Sequence, residues 1–250
     1  MMSNGCVQSH FNLASQHQDY TLTSTEKEVA IGRTLARRVE AELPVVADEP
    51  MQARVRSIGE RLAAVCDRRE LVYSFTVVHE EEVNAFSLPG GYVFLNDALV
   101  EKAASDDELA AVISHEVAHI AARHAVRQSE SSLGLQLAQL ATLVTRNGQA
   151  AQGVSVAGIA MQLAYAREDE LEADRLGVKY MKAAGFDSKA MLAFLEKLRD
   201  LDRDKSHYLP RGVVRPHYAL THPYIPERLR AVKEALFGVA DYIDYLNTPQ

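Results

Sequence analysis

The spacing of apolar residues divides the chain into a helical opening, a short β-rich interval and a long, mostly helical remainder. Val29, Ile31, Leu35 and Val39 recur at roughly helical intervals, and Thr23 stands three residues before Glu26 in the pattern of a capping box. A first helix is therefore predicted, ending at Leu43-Pro44. Asp48 and Pro50 open a second helix, with Val55, Ile58, Leu62 and Val65 on one face. The period then shortens. Over residues 72–79, Tyr73, Phe75 and Val77 alternate with Ser74, Thr76 and Val78, and β-branched and aromatic side chains dominate, which predicts a strand. Residues 83–86 and 91–95 are two further candidate strands, joined around Pro89-Gly90-Gly91, where the glycines mark a tight turn or a close backbone approach.

Helical spacing then returns. Ser105 with Glu108 forms a second capping box, opening a helix through Leu109, Val112, Ile113, Val117 and Ile120. Residues 133–164 are apolar, with breaks at Asn147-Gly148 and Gly153, and read as a helical hairpin. Core is its default place; a membrane-surface contact and a lid over a site are the alternatives. A helix over 165–184 stops at Gly185, a good residue just past a helix end, and another covers 188–201. Residues 204–225, rich in Pro, His, Tyr and Arg, read as a long functional loop before a last helix that starts at Pro226 and runs to about Gly238. Residues 1–21 are polar without a period and read as a mobile tail, leaving 22–250 as one domain. No internal repeat is present. The predicted class is α+β, mainly helical, with a small sheet.

Composition narrows the function more than the fold. At 47% hydrophobic and 24% charged, 250 residues can bury one sizeable core. A formal net charge of -7 without a basic stripe argues against a nucleic-acid partner. No apolar run is long enough to span a bilayer, so the expectation is a soluble or peripheral protein with no transmembrane segment. The two cysteines, Cys6 and Cys66, make neither a disulfide framework nor a C-x-x-C pair. Cys6 follows Gly5 as in a lipoprotein cleavage site, although Ser3 and Asn4 match that signal poorly and no hydrophobic signal segment precedes it. A lipid anchor therefore stands as a secondary expectation.

The nine histidines include two close pairs, His115/His119 and His217/His222. The first lies in His115-Glu116-Val117-Ala118-His119, an H-E-x-x-H string on a helix that its cap and period predict independently. Residues four apart share a helix face, so both imidazoles can hold one zinc ion, and the Glu116 carboxylate lies beside it as a general base. The alternative is a surface helix with two solvated histidines. Against it, Ala111, Val112, Val117, Ala118 and Ala121 make most of this helix small or apolar, and buried histidines and a buried carboxylate need partners.

A catalytic zinc needs a third protein ligand and an open position. A glycine and third histidine at the metzincin spacing are excluded, because those positions hold Ala122 and Ala125; His124 is one residue off and reads as structural. A second helix offers Glu170-Leu171-Glu172-Ala173-Asp174, where Glu170 and Asp174 share a face. One carboxylate can bind zinc while the other accepts the second ring N–H of a ligand histidine.

These pieces occur in a recognisable order. Asn84-Ala85-Phe86 with Pro89-Gly90-Gly91, the H-E-x-x-H string, Tyr165-Ala166-Arg167 leading into Glu170-x-x-Ala173-Asp174, and Thr221-His222-Pro223 followed by Arg228 together resemble the M48 family of zinc metallopeptidases, from about Leu22 to Leu236. The resemblance implies a zincin-like (gluzincin) domain with its small sheet packed on the active-site helix, and one Zn2+ per chain. It implies Glu170 as third ligand, Glu172 as a neighbour only, and Asp174 and Arg228 as supports behind the ligands. It also implies a role for His222 near the metal, as a fourth ligand that keeps the enzyme latent or as a group that steadies the oxyanion. Asn84, Ala85, Phe86, Gly90 and Gly91 become the substrate-binding candidates, through an extended peptide added to the strand edge. Ala166 departs from the serine frequent in relatives, outside the ligand set. Against other branches, the expectation for this chain is a member with neither membrane spans nor a C-terminal helical-repeat domain. That aligns it with small soluble members and points to protein or peptide substrates, protein quality control and the periplasm of a bacterial envelope, with the cytoplasm as the alternative compartment. The competing functional class is a zinc-stabilised chaperone or adaptor, in which His222 closes a structural site. Glu116 argues against it, since a structural site has no use for a base beside the metal.

Overall fold

The computed structural model describes residues 8–12, 14, 17–21, 23–130, 165–205 and 221–238. In chain order the elements are β1 (Gln8–Asn12), β2 (His17–Thr21), α1 (Thr25–Glu42), α2 (Glu49–Ala63), β3 (Ser74–Val78), β4 (Ala85–Leu88), β5 (Tyr92–Asn96), α3 (Asp97–Lys102), α4 (Asp106–Ala121), α5 (His124–Glu130), α6 (Arg167–Ala183), α7 (Ala190–Lys205) and α8 (Ile225–Phe237). The described chain is mainly helical, with a three-stranded mixed sheet in the order β3-β5-β4: β3 runs parallel to β5 and β4 antiparallel to it. A lone bridge from Val45 to Val78 extends the β3 side.

Helix α4 is the central element. Every residue from 109 to 121 is buried, because α2, α6, α7 and β4 all pack on it. Its small alanines, Ala110, Ala111, Ala118 and Ala121, let these neighbours approach, while Leu109, Val112, Ile113 and Val117 fill the spaces between them. Each of those four larger side chains contributes about 1.5–3 kcal/mol relative to exposure. The start of α4 is fixed by its own residues. Ser105 accepts from the Glu108 amide at 3.1 Å, and Glu108 Oε2 accepts from the Ala104 amide at 2.9 Å, a capping box reaching one residue further back than the usual pair.

Helix α6 crosses α4 at Gly177. A Cβ there would meet Met191 Cε at 2.9 Å, Ser114 Oγ at 3.1 Å and the His115 amide nitrogen at 3.5 Å, so the glycine sets how closely α6 approaches the helix that carries the histidines. The β4–β5 turn has a different requirement. Gly90 and Gly91 have φ of 79° and 107°, in the left-handed region that favours glycine.

A buried ion network ties the sheet turn to the helices. Glu28 of α1, 1% exposed, takes Arg68 Nη1 at 2.9 Å and Arg123 Nε at 3.1 Å, and its Oε1 accepts from the Gly90 amide at 3.2 Å. Arg68 Nη1 also reaches the Ile120 carbonyl at 3.2 Å, and Arg123 Nη2 the Thr23 carbonyl at 2.7 Å, so the C-terminal end of α4 is held from two sides.

The sequence expectations are met for most elements and corrected for some. Helices from Asp48 and Ser105, the three strands, the stop at Gly185 and the last helix all appear within a few residues of their predicted bounds. The first helix is capped by Ser24, whose side chain accepts from the Lys27 amide, rather than by Thr23. Within the N-terminal segment read as a mobile tail, strands β1 and β2 pair antiparallel, in register Gln8↔Thr21 to Asn12↔His17. Helices α3 and α5 were not anticipated. Residues 133–164 and 206–220, which carry the expected hairpin and most of the expected functional loop, lie outside the described residues, as do Cys6 and His217. Among the described residues no helix is long and apolar enough to cross a membrane.

Candidate metal centre and active site

Three helices and one short segment converge on a single point. The i, i+4 spacing on α4 presents His115 and His119 side by side, with Nε2 atoms 3.0 Å apart. Glu170, in the first turn of α6, brings Oε2 to 3.4 Å from His115 Nε2 and Oε1 to 3.4 Å from His119 Nε2. His222 completes the set, with Nδ1 3.2 Å from His115 Nε2 and 3.1 Å from Glu170 Oε1. One ligand atom from each of these four buried residues lies within 4.8 Å of all the others. All four residues, and Glu116, are at most 1% exposed.

Hydrogen bonds behind the rings set which nitrogen faces inward. His115 Nδ1 sits 2.8 Å from Asp174 Oδ1, so its N–H points to that carboxylate and its Nε2 lone pair points to the centre. Asp174 is itself clamped by Arg228, Nε to Oδ2 at 2.8 Å and Nη2 to Oδ1 at 2.9 Å. Arg228 Nη1 also lies 3.0 Å from Glu170 Oε2 and 3.2 Å from the His222 carbonyl, so one fully buried guanidinium braces both carboxylates and the backbone of His222. His119 Nδ1 meets His124 Nδ1 at 2.7 Å, and the Tyr165 ring stacks on His119 with centroids 3.8 Å apart.

The electrostatics follow from this crowding. For Glu170, burial works against ionisation, but His222 and Arg228 outweigh it and hold the carboxyl well below its usual range. Asp174 is likewise lowered, with burial overcome by Arg228 and His115. Burial drives His119 well below an ordinary histidine, against the opposing pull of Glu170. His115 shows the opposite balance: burial and Arg228 push it down, yet Asp174 and Glu170 together raise it to about 9.

The residues fit a divalent cation. With the His115 ring proton directed to Asp174, its Nε2 lone pair faces His119 Nε2 at 3.0 Å and the Glu170 carboxylate at 3.4 Å, which is repulsive unless a proton or a cation sits among them. Neither oxygen of Glu116 has a hydrogen-bond partner among the described residues; the nearest base is His222 Nε2, 3.3 Å from Oε1 and not aligned as a hydrogen bond. A buried carboxylate without hydrogen bonds is costly and is expected where it serves a reaction. Three imidazoles and one carboxylate are the donor set that suits zinc. A second acidic group, His124, Asp169 and Glu172, also has ligand-like spacing. There, however, Arg127 Nη2 lies 3.0 Å from each carboxylate, so a cation already occupies it.

His115, Glu116, His119, Glu170, Asp174, His222 and Arg228 are thus brought together. Of the substrate-binding candidates, Asn84 is tied to the His222 segment, its Oδ1 accepting from Thr221 Oγ1 at 3.2 Å. Ala85 and Phe86 begin β4, the end strand of the sheet, and Phe86 stacks on Phe94 with centroids 5.4 Å apart. Gly90 and Gly91 lie at the opposite end of β4 and pack on Val29 and Val72. Sequence reasoning missed the part played by His124 and Glu172, read as structural and as a mere neighbour. His124 touches a candidate ligand, and its Nε2 lies 3.2 Å from Glu172 Oε2.

This combination of a mainly helical domain, a three-stranded mixed sheet and a His-His-Glu centre with a free glutamate beside it defines a metallopeptidase-type site. The chain belongs to peptidase family M48, which residues 49–236 match. It is 31% identical over 216 residues to the beta-barrel assembly-enhancing protease of Yersinia pestis, covering 82% of this chain and 43% of that protein. Against the Escherichia coli K12 protein of the same name, identity is 30% over 218 residues, again 82% of this chain and 43% of the relative. The mitochondrial metalloendopeptidase OMA1 of Schizosaccharomyces pombe is 27% identical over 187 residues, 75% of this chain and 53% of that protein. The chain therefore spans about half the length of the relatives it matches.

Proposed function

We propose that this chain is a zinc-dependent endopeptidase of gluzincin type, with His115, His119 and Glu170 as metal ligands and Glu116 as general base. The observation that carries the reading is the convergence of the His115, His119 and Glu170 ligand atoms, with His222, inside 4.8 Å, next to a buried glutamate that has no hydrogen-bond partner among the described residues. Zinc in such a centre acts as a Lewis acid toward a carbonyl and acidifies a water molecule. Glu116 takes the proton from the attacking water and delivers it to the leaving amine. Asp174 and Arg228 keep His115 in the tautomer that presents Nε2. Asn84, Ala85 and Phe86 form the strand edge on which an extended peptide pairs, while Gly90 and Gly91 fix the turn that ends it. Backbone pairing reads side chains weakly, which suits extended or misfolded proteins as substrates. The role proposed with this reading is protein quality control in a bacterial envelope, with the periplasm as the compartment; two bacterial relatives are named as proteases that enhance beta-barrel assembly.

The complete burial of the centre supports a latent state. His222 Nδ1 lies 3.1 Å from Glu170 Oε1 and 3.2 Å from His115 Nε2, where it would hold the metal as a further ligand, and ligands that are at most 1% exposed are closed to substrate. Opening must withdraw His222, which then sits on the Glu116 side and can steady the oxyanion. The same closed set of four donors favours a second reading, a zinc-stabilised adaptor. Casein hydrolysis by the zinc-loaded protein and its His222→Ala variant separates the two. A rise in activity in the variant supports a latch and a fall supports the oxyanion role; no hydrolysis by either protein supports the adaptor.

A further inference from the structure

The two ligand histidines of α4 are braced differently. His115 passes its ring N–H directly to Asp174, whose charge is held by Arg228. Among the described residues, no carboxylate is hydrogen-bonded to His119 Nδ1. That nitrogen meets His124, fully buried, at 2.7 Å. The other nitrogen of His124 faces Glu172 Oε2 at 3.2 Å, with Asp169 Oδ1 at 3.6 Å. Arg127 Nη2 lies 3.0 Å from each of those carboxylates. Between two neutral imidazoles the pairing rules leave one assignment: His124 Nε2 carries the proton it gives to Glu172, its Nδ1 is then an acceptor, and His119 carries its own proton on Nδ1.

Building on the metal-centre reading above, we propose that His124 is a positioning residue for His119. Through Glu172 and Arg127 it locks His119 in the tautomer that presents Nε2 to the cation. The chain Arg127–Glu172–His124–His119 is the counterpart, one imidazole longer, of Arg228–Asp174–His115. A kink makes it possible. Residues five apart on one helix lie roughly 140° apart around the axis, but Arg123 adopts φ 58°, in the left-handed region, and turns α5 so that His124 comes back to His119.

The test is zinc affinity, measured with zinc alone against a chromophoric chelator, for the parent, His124→Phe and His124→Asn. Phenylalanine fills the space without an acceptor; asparagine restores a carbonyl acceptor near the position of Nδ1. Loss of such a partner weakens metal binding by about 10- to 100-fold, so His124→Phe should fall in that range and His124→Asn should recover most of it. Imidazole nitrogen NMR on the metal-free proteins gives an independent reading: His119 should be a single Nδ1–H tautomer in the parent and in His124→Asn, and a mixture in His124→Phe. Glu172→Ala, at the partly exposed end of the chain, tests the same link without disturbing the core and should weaken zinc binding by about 10-fold, the lower end of the same range. Parent-like affinity in His124→Phe and Glu172→Ala, or no recovery in His124→Asn, overturns the proposal alone. A parent that binds no zinc overturns the metal centre and this proposal together.

Discussion

Arg228 offers the sharpest test of how the centre is held together. It is the largest fully buried side chain among the described residues, and it neutralises two buried carboxylates, Asp174 at 2.8 and 2.9 Å and Glu170 at 3.0 Å. Methionine would keep the aliphatic bulk and remove the cation. Removing one partner of a buried ion pair costs about 3–5 kcal/mol, because the remaining charge stays in a low-dielectric surrounding. Two stranded carboxylates place Arg228→Met at the upper end of that range. That is a large share of the roughly 5–15 kcal/mol by which a domain is stable. Zinc supplies part of the missing positive charge beside Glu170, so the loss should be larger in chelator than with zinc. Adding Asp174→Asn removes one stranded charge, and the double variant should be less destabilised than the sum of the two, by about 1–3 kcal/mol. Urea unfolding followed by far-ultraviolet circular dichroism, with and without chelator, measures all of these. A loss below about 1 kcal/mol in Arg228→Met, or strict additivity with Asp174→Asn, would refute the claim that this guanidinium is the counter-charge of the site.

Two further outcomes can be checked on the same material. His115 is raised to about 9 by Asp174 and Glu170 in the ion-free centre, so below that pH zinc must displace a proton, and apparent affinity should climb roughly tenfold per pH unit, about 100-fold from pH 6 to pH 8. The linked stability has the opposite slope: in chelator the stabilisation from charged His115 is full below its unfolded value near 6.5 and is lost as pH rises through about 9. A zinc affinity independent of pH contradicts this. Gly177→Val should push α6 off α4 through contacts at Met191 and Ser114, moving Glu170 and Asp174 away from His115; zinc affinity is expected to fall at least tenfold, of the order seen when a ligand's support is lost, and unchanged affinity would show that this crossing does not set the ligand geometry.

How much of this was legible in the sequence depends on whether the signal is local. The capping box at Ser105 and the apolar period of α4 placed His115 and His119 on one face, and the spacing of Glu170 and Asp174 placed those two on one face of α6. Strands β3, β4 and β5 were legible from β-branched alternation and the glycine turn. What was not legible rests on non-local pairs or single backbone dihedrals. His124 reads as structural in the sequence, and on a regular helix it would stand about 140° around the axis from His119; the positive φ of Arg123 breaks that geometry, and arginine gives no warning of it. Glu28, Arg68 and Arg123 are far apart in sequence and look like solvated charges, yet they form one buried network. The β1–β2 hairpin was missed because polar residues such as Gln8, Ser9 and His10 carry no alternation to read.

The most direct test of the central claim compares the zinc-loaded protein with Glu116→Gln, each assayed for bound zinc and for cleavage of casein, with His222→Ala introduced into both if the parent is latent. Glutamine keeps the size of the side chain and leaves the three ligands intact, so both proteins should bind one equivalent of zinc. Loss of a general base costs about 10²- to 10⁴-fold, so only the protein retaining Glu116 should cleave. Equal cleavage by the two, or loss of zinc in Glu116→Gln, would contradict the assignment of Glu116 as the base of a metallopeptidase.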